Sequence, residues 1–304
     1  MADWLEGTDE EFLDCAWRLA LRRDPDADGR AEGLARLREG RISRAAYLAE
    51  LLEREPFAHV RALDDALAFV RRETGRPREL HAPAHADERA IEIPWVLTRY
   101  AGERRVLDVG TVFAVPAYVA GLHELAIPEL VTVDLAPGAT VVADVRDLPF
   151  EDGRFDLVLC VSTLEHVGRD NAVYAVDAPR DEDGDEAALR ELRRILAPDG
   201  RLLVTVPTGV HDDQGWQVQR APLAWVERFE RAGFLVFEDE LYVRTAGGWR
   251  TATLADAQDA RYADGGAGAV LLAELRPGTV GGRVRLAVRD ARHRDVARRS
   301  TGLA

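Results

Sequence analysis

Three stretches carry the reading of this chain: RVLDVGTVFAVPAYVAG at residues 105–121, VTVDLAP at 131–137, and VVADVRDLPFEDGRFDLVLCVSTLEHVG at 141–168. Each holds an apolar run that stops at an acid or a small polar residue. Val106–Leu107–Asp108 reads as a buried strand ending at a carboxylate and Gly110. Val131–Thr132–Val133–Asp134 and Val141–Val142–Ala143–Asp144 repeat the pattern. Phe155–Val161 is a fourth strand, stopping at Ser162–Thr163. Continuously apolar strands belong to parallel sheets covered on both faces. Such sheets bind ligands beyond the carboxyl ends of their strands, so Asp108, Asp134, Asp144 and Gly110 are expected to line one crevice.

The residue types specify the ligand. An ionised acid at a strand end accepts from both hydroxyls of a ribose diol, a role that suits Asp134. Asp144 can accept from an exocyclic amine such as that of adenine. Gly110 lets backbone come close to a ligand. The expected ligand is a nucleoside cofactor lying across the sheet edge. The loop lacks the GxGxxG of nicotinamide-binding enzymes, which argues against a dehydrogenase.

On these residues the block resembles the class I S-adenosylmethionine-dependent methyltransferases, in their type 11-like branch found in glycan-modification clusters. The resemblance covers roughly residues 90–276. LCVSTLEHVG is similar to the family's LVxxxxxLEHV, and ALRELRRILAPDGRLLVTVP to the helix, turn and fifth strand that follow. The resemblance implies an α/β, Rossmann-like, doubly wound seven-stranded sheet with an antiparallel edge hairpin. It implies S-adenosylmethionine as cofactor, with Asp108 and Gly110 at its methionine half and Asp134 and Leu135 at the ribose. Asp144 and the Val145 backbone would meet the adenine, and Ser162 and Thr163 would also touch the cofactor. The implied reaction is O-methylation of a sugar or glycan-related small molecule.

His166 is the candidate catalytic base. Methyl transfer is an in-line displacement that depends mainly on alignment. An attacking hydroxyl loses a proton, a positioned base contributes about 10²–10⁴-fold, and neutral histidine suits that task near pH 7. Trp216, Gln214 and His211, after the fifth strand, are candidates for holding the acceptor. Glu92 and Trp95 are candidates for a segment lying over the cofactor. The family's first loop reads DxGxGxG, whereas this chain has Asp108–Val109–Gly110–Thr111–Val112–Phe113–Ala114. Val112 and Ala114 stand where glycines would. The alternative that this loop favours is a non-catalytic methyltransferase-fold scaffold acting through a helical module.

That module is expected at residues 1–75, before a linker and lid segment at 76–100, a methyltransferase domain at 101–280 and a basic tail at 281–304. Phe12, Leu13, Ala16, Leu19 and Ala20 recur at helical spacing. DPDADG then breaks the chain. A short helix is expected around Ala31–Arg38, and Ser43 reads as the N-cap of another through Leu52. Pro56 would open one more, ending before Gly75. The stretch FLDCAWRLALRRDPDADGRAEGLARLREGRISRAAYLAELLEREPF resembles a phycobilisome-linker-like helical module, which implies a glycan context and a possible protein partner. Further strands are expected at Leu202–Val206, Leu235–Val243 and Ala269–Leu275. Helices are expected at Val115–Leu125, Glu186–Leu196 and Pro222–Ala232.

Of 304 residues, 40 are basic and 54 acidic, a net charge of −14. That balance disfavours nucleic acid and anionic membrane surfaces as partners. No apolar run approaches a membrane span. Cys15 and Cys160 are the two cysteines, each in an apolar stretch. They read as reduced core residues. MADWLEGTDEEF is acidic where a signal peptide needs positive charge, so the expected location is cytoplasmic. No metal site is expected. Asp24, Asp26 and Asp28 mimic a calcium loop whose twelfth position is Ala35 instead of glutamate, and Pro83 breaks the helix that would align His81 with His85.

Overall fold

The computed structural model describes residues 7–21, 25–52, 80–111, 114–172, 179–263 and 266–278. The expected helix from Pro56, the start of the linker, the basic tail at 281–304, and Val112 and Phe113 lie outside the described residues.

Five strands run parallel: β1 (Arg105–Val109), β2 (Glu129–Asp134), β3 (Val141–Val142), β4 (Phe155–Val161) and β5 (Leu196–Pro207). A two-stranded ribbon follows, β6 (Asp212–Asp213) with β7 (Val218–Gln219). Then come β8 (Phe234–Thr245), β9 (Gly248–Thr251) and β10 (Ala269–Pro277). The large sheet has the order β3-β2-β1-β4-β5-β10-β8-β9. The chain steps outward from β1 to β3, then returns past β1 to β4. That reversal between β1 and β4 is where a doubly wound sheet opens a crevice.

Residue alternation explains the long apolar runs. Leu107, Val109, Val158 and Cys160 join one core cluster, with Leu189 and Leu192 of α6 (Gly184–Ile195) and Trp225 and Phe229 of α7 (Pro222–Arg231). Val106, Leu157 and Leu159 join a second, with Ile91 and Trp95 of α4 (Arg89–Leu97) and Tyr118 and Leu122 of α5 (Pro116–Glu124). Neighbouring strand residues face opposite ways, and here both directions lead into a core.

At the amino-terminal end, α1 (Asp9–Leu21), α2 (Ala27–Arg38) and α3 (Arg44–Leu52) form a helical unit. Phe12, Leu13, Ala16, Trp17 and Ala20 pack with Tyr47 and Leu51. Trp17 Nε1 donates to the Tyr47 hydroxyl at 2.9 Å. Ser43 Oγ accepts from the Ala46 amide at 3.2 Å, as an N-cap should. The second helix begins earlier than the expected Ala31, because Asp26 caps it through the Gly29 amide at 2.8 Å. A final short helix, α8 (Leu254–Ala257), precedes β10. Among the described residues, no helix is long and apolar enough to cross a membrane.

Two expectations are corrected. The sheet has eight strands where seven were expected. The added strand is β9, which folds back on Tyr242–Thr245 through Ala246–Gly247, so β8–β9 is the edge hairpin and β10 lies inside the sheet. The Gly247–Gly248 pair is a turn signal that could have located it. IEIPWVL forms helix α4, whose residues 90–97 are buried and which contributes Arg89 and Ile93 to the wall of the cleft described below. Trp95 is 0% exposed and donates to Glu240 at 3.0 Å within the core. Cys160 is buried as expected, but Cys15 is only half-buried.

Gly168 anchors the loop after β4 to the start of α6. Its φ is +75°, and a Cβ there would lie 2.1 Å from the Asp181 carbonyl oxygen. Gly168→Ala is expected to destabilise the chain by about 1–3 kcal/mol. An unchanged denaturant midpoint would show that this close approach is not required.

Candidate active site

A cleft opens at the carboxyl ends of β3, β2, β1 and β4, enclosing about 1170 Å³ including its mouth. Its wall follows strand order. Ala143, Asp144, Val145 and Arg146 come from the β3 side, Asp134 and Leu135 from β2, and Gly110 from β1. Ser162, Thr163 and His166 follow β4, and Arg89 and Ile93 come from α4. Four adjacent strand tips span about 14 Å.

Asp108 does not line the cleft. It is 1% exposed and sits beneath the wall. Its Oδ1 accepts from the Tyr118 hydroxyl at 2.6 Å, and its Oδ2 from the Thr111 hydroxyl at 2.5 Å. Burial pushes its carboxyl up to about 6, against the opposing pull of those two donors. Through these two bonds Asp108 orders the loop and α5. Gly110, at φ +85°, donates to the Val133 carbonyl at 2.9 Å. A Cβ there would lie 2.2 Å from Thr163 Oγ1, so this glycine lets the β1 loop and the β4 tip close together.

Asp134 is half-buried, with Oδ1 accepting from the Ala136 amide at 2.9 Å. Asp144 is held by Arg146, whose amide lies 2.9 Å from Oδ1 and whose Nη2 lies 2.6 Å from Oδ2. Burial would raise the Asp144 carboxyl, but its hydrogen bonds from Arg146 outweigh that and hold it below the usual range. Thr163 Oγ1 lies 2.9 Å from the Val161 carbonyl and 3.1 Å from that of Val109. Ser162 adopts φ +42°, and its hydroxyl reaches Glu92 Oε1 and Oε2 at 2.8 and 2.9 Å.

Behind this wall lies a group of buried acids. Glu92 is 0% exposed and Glu165 2%. Burial pushes the Glu165 carboxyl up to about 8 and raises that of Glu92 as well. Among the described residues, Glu165 Oε2 is buried without a hydrogen-bond partner. Arg89 lines the cleft in front of them, paired with Glu88. His166 Nδ1 lies 3.0 Å from the Trp216 carbonyl. That contact assigns the Nδ1–H tautomer and leaves the lone pair on Nε2. Burial lowers the imidazole to about 4, so the ring is neutral at neutral pH.

The expected acceptor residues are only partly gathered. Trp216 packs on His166, ring centroids 5.2 Å apart, and on the edge of Tyr262 at 6.0 Å. Gln214 bonds Asp212 and Gln217 within the β6–β7 turn, and His211 is exposed. None of the three is part of the cleft wall; Trp216 meets it only through His166. Sequence reasoning missed Arg89, Ile93, Tyr118 and Arg146. Arg146 directly follows the Asp144–Val145 strand end, a position that could have drawn notice. Arg89 and Glu92 share a helix face at i,i+3, a signal legible only once α4 is known to be a helix.

Residues 117–204 match the family model described as “Methyltransferase domain”. An uncharacterised protein of Methanocaldococcus jannaschii is 33% identical over 111 residues, 34% of this chain and 40% of that protein. The chain thus spans less than half the length of this curated relative. Among solved structures, the 1,6-didemethyltoxoflavin N1-methyltransferase of Burkholderia thailandensis, with 1,6-didemethyltoxoflavin and S-adenosylhomocysteine bound, is 17% identical. The match covers 82% of this chain and 86% of that one, with a TM-score of 0.40. The CcbJ methyltransferase of Streptomyces caelestis is 13% identical, covering 61% and 87%, with a TM-score of 0.39.

The buried acids should show in stability. Glu165 ionises near 4.3 when unfolded and at about 8 when folded. The folded chain keeps that proton in between, so stability falls as pH rises towards 8. His166 acts oppositely, but its contribution is complete above its unfolded value of ~6.5. Between pH ~6.5 and about 8 the loss at Glu165 has no offset from His166. Glu165→Gln is expected to flatten the urea midpoint across that window. An equal slope in both proteins would contradict the burial argument.

Proposed function

We propose that the chain is an S-adenosylmethionine-dependent methyltransferase that O-methylates a small molecule, with a sugar or glycan-related hydroxyl as acceptor. One observation carries this reading: the Asp134, Gly110, Ser162 and Thr163 positions lie in strand order along a single cleft. The residues fit such a cofactor. Asp134 offers a carboxylate for a diol, Val133, Leu135 and Val145 offer apolar walls for a base, and Arg89 and Arg146 place a cation at each end.

When bound, S-adenosylmethionine supplies an electrophilic methyl group on a positively charged sulfur. The chain's own part is grip, alignment and proton transfer. Asp134, steadied by the Ala136 amide, accepts from the ribose hydroxyls. The base lies towards Ala143–Arg146, with the Val145 backbone beside it. His166, its Nδ1–H committed to Trp216, takes the acceptor proton at Nε2. The same reading assigns residues 1–75 to a helical module that offers a surface to a protein partner, 76–100 to a linker and lid segment, 101–280 to the catalytic domain and 281–304 to a basic tail. The two free cysteines support a cytoplasmic site of action. A second reading, a non-catalytic scaffold, is favoured by Ala114, a side chain in the cleft wall where the family's loop has glycine.

Calorimetric titration with S-adenosylhomocysteine separates the two. Binding is expected, and Asp134→Ala should weaken it at least about tenfold, since a hydrogen bond to a charged group is worth about 1.5–3 kcal/mol. Absence of binding at millimolar ligand would sink the enzyme reading. His166→Ala should lower turnover about 10²–10⁴-fold without changing that affinity. In the unsubstituted chain, the acid limb of the rate profile should lie near pH 4, where the buried ring protonates. A limb near the ordinary histidine value of ~6.5 would contradict the assignment of the base.

A further inference from the structure

The geometry points to the Arg169–Asp213 ion pair as the device that positions His166, by fastening the β6–β7 ribbon to the loop that carries it. This rests on the reading of His166 as the base. Water favours the imidazole tautomer with its proton on Nε2, which would leave no lone pair on the atom that must take the acceptor proton. The fold imposes the other tautomer through a backbone carbonyl, that of Trp216, 3.0 Å from Nδ1. Glu165 Oε1 stands 3.9 Å from Nε2, too far to hold a proton there. The tautomer therefore follows the placing of Trp216, in the turn between β6 and β7.

That turn has little to fix it from within. Strands β6 and β7 are two residues each and form a sheet of their own, and an isolated two-stranded ribbon is marginal in water. Gln219 ties the base of the ribbon to the carbonyls of Val210 and Ala260. The turn itself is tied to the loop after β4. The Asp170 amide donates to the Gly215 carbonyl at 2.9 Å, and Arg169 Nη1 donates to Asp213 Oδ2 at 3.2 Å. Arg169 is 3% exposed and also donates to the Glu182 carbonyl, just before α6, so its guanidinium is anchored on both sides. Asp213 in turn accepts from the Gly215 amide at 2.9 Å, so one carboxylate joins that cation to the turn presenting Trp216. The Gly215 amide, with Arg169 and Arg180, holds the Asp213 carboxyl below the usual range, so it is ionised at neutral pH. Arg180 lies 3.4 Å from the same oxygen but is 58% exposed, and exposed pairs contribute little. A buried cation stripped of its partner costs far more, so the contact with Arg169 is the one that holds the turn.

The test reads the tautomer directly, by nuclear magnetic resonance of the full chain with isotope-labelled histidine rings at neutral pH, and needs no acceptor. His166→Gln identifies the signal. The unsubstituted chain is expected to show His166 protonated at Nδ1. Asp213→Asn keeps an oxygen for the Gly215 amide and removes only the charge; Arg169→Met removes the cation. In each, the ratio of the Nδ1–H form to the Nε2–H form should fall about tenfold, the effect of one ordinary hydrogen bond. The double variant should fall no further, since both changes break the same link. Arg180→Met is expected to leave the ratio as it is. Backbone amide signals of the large sheet report whether each variant is folded; should Arg169→Met fail to fold, Asp213→Asn, at a half-buried position, decides by itself. An unchanged ratio in the folded variants, or an equal fall in Arg180→Met, would overturn the assignment and leave the base reading intact. If the unsubstituted chain carries the His166 proton on Nε2, the base reading itself fails.

Discussion

Asp108 is an ionisable side chain almost wholly removed from water at the end of the first strand. A buried carboxyl is tolerated only where donors meet it. Here the donors come from two directions, Thr111 in the loop and Tyr118 in α5. Their bonds fix where the loop leaves the sheet and where the next helix starts. From that corner the cleft follows. The Gly110 amide binds back to β2, and Thr163 bridges the ends of β1 and β4. Three strand tips are thereby locked in the spacing that a ligand lying across them would need.

The opposite wall is built from charge. Glu92 reaches Ser162, a residue held in the left-handed region that side chains rarely adopt. Strain of this kind persists where surrounding contacts over-determine it, and it concentrates at functional sites. Glu165 lies close behind, and burial keeps both acids more protonated than free carboxyls. The same dryness keeps His166 neutral. One property, exclusion of water, thus shifts Glu92, Glu165 and His166 alike towards their neutral forms.

Much of this was legible in the sequence, for a physical reason. Strands β1 and β4 are covered on both faces and β2 is half-covered, so they appear as apolar runs, and the acids at the ends of β1 and β2 mark the cleft. Asp108 and Asp134 look alike in sequence, each ending such a run. Only packing separates them: Tyr118 closes over one and leaves the other half-buried. Helix α4 was obscured because all its faces are buried, which erases helical periodicity, and because Pro94 argues against a helix. Strand β9 is four residues long and exists through its pairing with β8. Arg89 and Arg146 have the look of surface arginines. Their places in the wall come from the path of the chain around them.

The most direct test of the central claim is a crystal structure of the chain grown with S-adenosylhomocysteine. The account predicts a nucleoside laid across the tips of β2, β1 and β4, its ribose hydroxyls bonded to Asp134 and its sulfur facing the β4 end near His166. A ligand bound elsewhere, or one whose ribose does not meet Asp134, would contradict it.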